Sequence, residues 1–599
     1  MLHKTVVLLA LLALVAALRM FALDADPPGD MHIHFITDEG WWAHNARQRA
    51  LFGRWIMDEH NPPLYTAPVH SYLLWLAYEA FGVGLWQTRL LSAISGVLTC
   101  ALVWLFVRQE DSRRSANWCA LLLGTSYFLL SYNRTAFTES LQLLFVTAAI
   151  LGAVRARKQP ALGALSGLSL LAALLVKSSA LVAAPVVAGC LAAQLLDRSA
   201  APSERRVRWR GALAASAAFL LGALTVWLLL VQPNLAEVLR EFQSNVQISV
   251  WSSGQPHQDI KRLLWFGIRE DVAGLETRVL NGFFTQCAAL VLVVAALAAA
   301  RLLGTRPLPA RWLEGTCWLW VGTSLGLLAT QGYQPDRRFL VLLPPLVILA
   351  SLHLSTGRPA SREPQAPPPG RGRWLRRIGA WLIVGLVIGI YARLPLLPSL
   401  LAWTADLSFG ADPGLGSEPL LALIWGASLV LGVAVVEATR VMLRPAGWRL
   451  LGPLVLAVVA GIDLARFGAH LAEPRFTVRD ASRAIGEVVE RLGPERNAVV
   501  GHTADTLCLE NRAFSFLIRD WPRVDMHMNL DGIERFAPGF AIETRYKGVL
   551  AAGPNYFEVS EDQIARVFGA WNDAGGRSRL ELVLYALDEE AAQAAAEPR

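Results

Sequence analysis

Two adjacent carboxylates, Asp38 and Glu39, stand in the stretch HIHFITDEGWWAHNAR and are followed at once by Trp41 and Trp42. A carboxylate held beside a reacting hydroxyl can take its proton, the work of a general base. The competing reading is a solvated acidic turn beside an interfacial aromatic belt. A third carboxylate, Glu139, follows Arg134 in SYNRTAFTESLQLLF, a spacing that also suits a plain interfacial ion pair. Lys177 in LLVKSSALV, and Arg337 and Arg338 in QGYQPDRRFLVLLPPLVIL, sit between or beside apolar runs. An unpaired cation entering such surroundings costs a few kcal/mol, so Lys177 is expected to meet an anion. Of 11 histidines in the chain, His32, His34, His44, His60 and His70 share the loop of Asp38. With Asp38 and Glu39, His32 and His34 have the donor types for a divalent metal ion. Local hydrogen bonding in a polar loop is the preferred reading, and a divalent metal ion stays open as the possible cofactor.

The elements that must position these residues are membrane spans. Of 599 residues, 54% are hydrophobic and 17% charged, which argues against a large soluble fold. The net charge of +7 does not indicate nucleic acid, because the basic residues form short clusters between apolar runs. The six cysteines show neither a disulfide framework nor zinc spacing. Apolar runs of spanning length are expected near 5–23, 88–107, 116–131, 140–154, 160–176, 179–196, 211–231, 279–300, 312–330, 339–354, 378–401, 419–439 and 450–466. That is about thirteen helices. The first is read as a retained helix, although Arg19 interrupts it.

Charge asymmetry sets the sidedness. Segments 108–114, 155–159, 197–210, 301–311, 355–377 and 440–449 are rich in Lys and Arg and are expected in the cytoplasm. Segments 24–87, 132–139, 177–178, 232–278, 331–338 and 402–418 are expected outside, with Lys177, Arg337 and Arg338 as the exceptional cations. The expected location is the bacterial inner membrane, multi-pass, with residues 1–466 as the transmembrane catalytic domain. Residues 467–599 read as a small extracytoplasmic α/β domain. There Ile485, Val488, Val489 and Leu492 mark one helix face, and NAVVGH, GVLAAG and ELVLYAL read as buried strands. Ser560 and Gln563 read as a capping box opening another helix. REPQAPPPGRGR at 362–373 reads as a disordered linker.

TDEGWWAHNAR, followed after about thirty residues by TAPVHSYLLWLAYEAFGVGLWQTRLLSAISG, resembles the opening of the GT-C glycosyltransferases. More narrowly it resembles the group of protein O-mannosyltransferases and the lipid A aminoarabinose transferase. The resemblance implies a helical GT-C fold and places Asp38 on the catalytic aspartate, with Glu39 beside it. Arg134 and Glu139 match the group's R...D/E pattern, Lys177 its TKG turn, and Arg337 and Arg338 its RY.LP..P segment. Thr66 and Ala67 stand where the aminoarabinose transferase carries a Glu-Lys pair, a departure that counts against that particular substrate.

The resemblance implies transfer of a sugar from a polyprenyl-phosphate carrier to an extracytoplasmic acceptor, by inverting displacement. Asp38, Glu39 and Glu139 are then the catalytic candidates. Arg134, Lys177, Arg337, Arg338, Trp41 and His70 are the substrate-binding ones. The expected partners are the lipid-phosphate donor, membrane lipids and an acceptor, with no nucleic acid. An oligosaccharyl transferase or polymerase using a pyrophosphate carrier stays open as an alternative, as does a transporter. The gathering of ionisable residues at one face, without a second copy of the first-loop motif, counts against transport.

Overall fold

The computed structural model describes residues 2–27, 34–56, 64–239, 283, 287–302, 311–329, 336–354, 378–379, 381–382, 448–472, 474–493, 496–501, 503–516, 538–547, 563–572 and 579–596. The expected spans at 378–401 and 419–439, the segment 240–278, the linker at 362–373 and the GVLAAG strand therefore lie wholly or almost wholly outside the described residues.

Apolar sequence becomes helix wherever a span was expected among the described residues. In order these are α1 (Leu2–Met20), α4 (Leu85–Glu110), α5 (Arg113–Thr125), α6 (Tyr127–Asn133), α7 (Thr138–Ala156), α8 (Pro160–Val176), α9 (Ala183–Leu196) and α10 (Pro202–Val226). They continue as α11 (Ala288–Leu302), α12 (Arg311–Ala329), α13 (Leu343–Leu354) and α14 (Trp448–Ala472). Six helical stretches among the described residues are long and apolar enough to cross a membrane. The run expected as one span at 116–131 is two helices. Ser126 leaves helical geometry and its hydroxyl accepts from Leu129 N, so the chain restarts there as α6.

The loop expected at 24–87 contains two helices, α2 (His34–Phe52) and α3 (Pro68–Phe81). Neither is a span. α2 is too polar, and it is held by tertiary contacts on several sides: Glu39, Ala43, Ala46 and Gln48 are each fully buried. Proline at the first position starts α3, where its missing N–H removes no helical bond. Arg19, which interrupts the apolar run of α1, is also buried. Its guanidinium donates to Asn133 Oδ1 and to the carbonyls of Val15, Leu123 and Gly124, so the charge fastens α1 into the bundle.

The C-terminal part is α/β as expected. The amphipathic α15 (Thr477–Arg491) buries Ile485, Val488 and Val489. A five-stranded sheet follows, with β1 (Ala498–Val500), β2 (Phe514–Phe516), β3 (Phe540–Lys547), β4 (Ile564–Asn572) and β5 (Arg579–Ala586) in the order β2-β1-β3-β5-β4. β1 runs parallel to β2 and β3, and β5 antiparallel to β3 and β4. The helix expected after Ser560 and Gln563 is instead β4. Ile564, Val567, Phe568 and Trp571 suit a strand, and pairing along β5 outweighs the local capping signal. The short α16 (Ala504–Leu507) and the terminal α17 (Glu589–Ala596) complete the domain.

One buried ion pair ties the loop to the bundle. Arg89 on α4 donates from Nε to Glu39 Oε1 at 2.8 Å and from Nη2 to Oε2 at 2.7 Å. Ala136 N adds a bond to Oε1 at 2.7 Å, and both residues are fully buried. Removing one member leaves the other charge uncompensated, which typically costs about 3–5 kcal/mol. Glu39→Gln is therefore expected to lose stability of about that size, measured by denaturant unfolding in detergent. A loss below about 1 kcal/mol would show that the pair does not hold the loop.

Candidate active site

Residues far apart in the chain meet at the N-terminal end of α7. Glu139 lies in its first turn, and Lys177 in the extended link between α8 and the 3₁₀ turn Ser178–Val182. Arg337 lies in the 3₁₀ turn Asp336–Leu342 that leads into α13, and Asp38 in α2. Lys177 Nζ is 2.6 Å from Glu139 Oε1, and Arg337 Nε is 3.1 Å from the same oxygen. Arg337 Nη2 is also 2.6 Å from Asp38 Oδ2, so a single guanidinium bridges the two carboxylates. Aromatic faces cover both cations: Lys177 Nζ lies 4.8 Å from the Trp42 ring centre, and the Arg337 guanidinium 5.3 Å from that of Phe137.

A narrow cleft opens beside this network. Glu139, Gln142, Ser179, Arg337 and Arg338 line its polar side, and Leu143, Val146, Leu327 and Leu328 its apolar side. Cations at the head of an apolar groove are what an anionic headgroup on a hydrocarbon tail requires. Gln142 Nε2 donates to Ser179 Oγ at 3.0 Å. Gln142 follows Glu139 by one helical turn, a same-face spacing that could have marked it from sequence.

The remaining candidates take other positions. Glu39 is engaged by Arg89 and is not part of the Arg337 network. Arg134 donates to the carbonyls of Phe21 and Ala22 at 2.6 Å and so closes the C-terminal end of α1, rather than pairing with Glu139. Trp41 stacks on Trp42 with ring centres 6.1 Å apart, and it is Trp42 that reaches Lys177. His70 packs edge-on against Trp42 at 6.5 Å and is 1% exposed, and its Nδ1 has no hydrogen-bond partner among the described residues.

For the metal reading, His32 lies outside the described residues, and of His34 only the backbone is described. His60 also falls outside. No group of three His, Cys, Asp or Glu residues that could hold a metal ion occurs among the described residues.

The C-terminal domain grips the helix that carries Asp38. His44 Nδ1 is 2.9 Å from Asp505 Oδ1, both 1% exposed, and Gln48 Nε2 lies 2.7 Å from His44 Nε2. Burial works against the Asp505 carboxylate, yet the facing His44 and Arg47 bring its pKa below the ordinary value. Arg47 donates to the carbonyls of Asn511 and Ala513, and Gly40 N donates to Thr506 Oγ1 at 2.8 Å.

Residues 63–236 match the family profile of dolichyl-phosphate-mannose-protein mannosyltransferase. Glu139 and Lys177 fall inside that stretch, and Asp38 and Arg337 outside it. The fold is similar to that of ArnT from Cupriavidus metallidurans bound to undecaprenyl phosphate, at 15% identity and a TM-score of 0.50, covering 99% of each chain. The apo form of the same protein matches at 16% identity and a TM-score of 0.50, over 100% of this chain and 99% of that one. The chain has a GT-C fold. No curated protein matches it by sequence.

Within this GT-C fold, backbone contact carries the docking of α2. A Cβ on Gly40 would lie 2.0 Å from Thr506 N and 2.1 Å from the Asp505 carbonyl carbon, both rigid backbone atoms. Gly40→Ala is expected to separate α2 from α16 and to speed proteolysis of the C-terminal α/β part that follows α14 in the purified protein; unchanged cleavage would refute the tight docking.

His70 gives the site a pH signature. Burial lowers its pKa to about 4, with Glu139 opposing and Lys177 reinforcing that shift. Between about 4 and about 6.5 the unfolded imidazole binds the proton that the folded one refuses. The stability this supplies is therefore fully present above pH about 6.5 and is lost toward about 4, on the order of 3 kcal/mol across the window. His70→Asn should flatten the pH dependence of the unfolding midpoint there, and an unaltered slope would contradict the buried neutral imidazole.

Proposed function

We propose that the protein transfers a sugar from a polyprenyl-phosphate carrier to an acceptor on the extracytoplasmic face of the bacterial inner membrane, with inversion at the anomeric carbon. The observation that carries this reading is the Asp38–Arg337–Glu139–Lys177 network at the mouth of a partly apolar cleft. The family profile, described by a dolichyl-phosphate sugar, and an ArnT structure bound to undecaprenyl phosphate support it. The sidedness rests on the charge asymmetry of the loops.

In this reading the donor phosphate takes hydrogen bonds from Lys177 and Arg337. Glu139 keeps both cations in place, since it touches each of them. As Arg337 turns toward phosphate, it releases Asp38, which accepts the proton of the acceptor hydroxyl. The hydroxyl oxygen bonds to the anomeric carbon while the bond from that carbon to the phosphate oxygen breaks. Its electron pair leaves with the polyprenyl phosphate, where the two cations stabilise the departing charge. Glu39 and Arg134 act as positioning residues: one fixes the loop of Asp38, the other the end of α1. Arg338, at the cleft wall, extends the phosphate site, and His70 supports Trp42 beneath Lys177.

The test presents purified protein with a panel of polyprenyl-phosphate sugars and polyprenyl-pyrophosphate glycans, together with candidate acceptors. Asp38→Asn is expected to lower kcat by about 100-fold or more. Lys177→Ala is expected to raise KM for the donor more than for the acceptor. Turnover of Asp38→Asn at the wild-type rate would remove the general base, and activity restricted to pyrophosphate donors would overturn the carrier assignment.

A further inference from the structure

α7 carries Glu139 in its first turn and Arg155 in its last. They are sixteen positions apart on the helix, a rise of about 24 Å, which is most of the roughly 30 Å hydrocarbon layer. A second charge cluster therefore lies near the opposite headgroup layer, and nothing in the transfer reaction uses it. Its centre is Glu110, at the end of α4 and 4% exposed. Three cations converge on this single carboxylate: Arg155 Nη1 at 2.9 Å, Arg157 Nη2 at 2.5 Å and Lys158 Nζ at 3.3 Å.

The excess is built into the bundle rather than spread along a loop. Arg155 is 8% exposed, and the Nε atoms of Arg155 and Arg157 are buried with no hydrogen-bond partner among the described residues. The Arg157 guanidinium lies 5.9 Å and that of Arg208 5.6 Å from the Trp312 ring centre. Arg208 has its own carboxylate, Asp197 at 3.0 Å, with Glu204 at 3.6 Å, so the uncompensated charge belongs to the Glu110 group. Lys158 is 44% exposed and can turn part of its charge outward. A tryptophan at headgroup depth, two buried guanidinium donors without partners and an accessible ammonium together match a lipid phosphodiester.

We propose that the Arg155–Arg157–Lys158 cluster beside Trp312 is a binding site for the phosphate headgroup of an anionic glycerophospholipid, in the leaflet opposite the candidate active site. The lipid phosphate accepts from Arg157 Nε and Lys158 Nζ, and its glycerol lies along Trp312. It thereby neutralises charge that Glu110 alone cannot.

Full-length protein is reconstituted in nanodiscs of phosphatidylcholine alone or with phosphatidylglycerol. Phosphatidylglycerol retained after detergent re-extraction is counted by native mass spectrometry, and the unfolding midpoint is read in parallel. Wild type is expected to retain at least one more phosphatidylglycerol than R157Q/K158Q and to melt higher in the anionic discs, while the variant melts alike in both. K158Q alone, altering an exposed group, should keep the fold and show roughly half the retention difference. K177A, at the other end of the bundle, should retain phosphatidylglycerol like wild type, which separates this site from donor binding. Equal retention by wild type and R157Q/K158Q would overturn the proposal. So would stabilisation of wild type by inorganic phosphate in neutral discs equal to that given by phosphatidylglycerol, since the site would then take free phosphate rather than lipid.

Discussion

Glu39 is wholly removed from water, and a lone carboxylate could not remain ionised there. Arg89 meets both of its oxygens with parallel hydrogen bonds, and Ala136 N takes a further lone pair. The remaining guanidinium donor, Arg89 Nη1, reaches the carbonyls of Leu23 and Ala25 at 3.0 and 2.5 Å. One pair thus joins the end of α1, the start of α2, the membrane helix α4 and the chain entering α7. Asp38 adjoins Glu39, so its meeting with Arg337 depends on this anchor. The adjacent acids of the DE motif divide their work by environment: one lies in a closed, saturated pair, the other beside a cleft.

A second constraint comes from the C-terminal domain. Asp26, just beyond α1, caps α15 by accepting from Thr477 N at 2.9 Å and Val478 N at 3.1 Å. Glu510 accepts from Leu85 N at the start of α4 and pairs with Arg483. With His44–Asp505 and Gly40–Thr506, these contacts make the domain one wall of the socket that holds α2. α2 is polar enough that it would not stay folded alone in water or lipid. Burial between the bundle and the domain is what makes it a helix and sets the direction in which Asp38 points.

The candidate site and the basic cluster at the far end of α7 use the same chemistry in opposite balance. Around Glu139 and Asp38, two carboxylates hold Lys177 and Arg337, so cations are stored in pairs that an incoming anion can reorganise. Around Glu110, three cations share one carboxylate, and positive charge remains. Stored pairs suit a ligand that arrives and leaves. Residual charge suits one that stays.

Sequence alone determined the features set by local composition. Hydropathy located most of the helices from α4 to α14 among the described segments, because spanning length and apolar content are local properties, although α10 begins at Pro202 ahead of the run expected at 211–231 and the run at 116–131 divides into α5 and α6. The amphipathic face of α15 and the strands around Val499 and Leu584 were legible for the same reason. The need of Lys177 for an anion followed from the energetics of burying charge, and the resemblance marked Asp38, Glu139 and Arg337. Tertiary structure decided who meets whom. Arg134 and Glu139, five residues apart, part company, whereas Arg337 reaches back across the chain to Asp38 and Glu139. It split the DE motif between anchor and cleft, folded α2 and α3 out of an apparent loop, and turned the capping signal at Gln563 into strand β4. In each case contacts distant in sequence outweighed the local preference, and no pattern read along the chain carries that information.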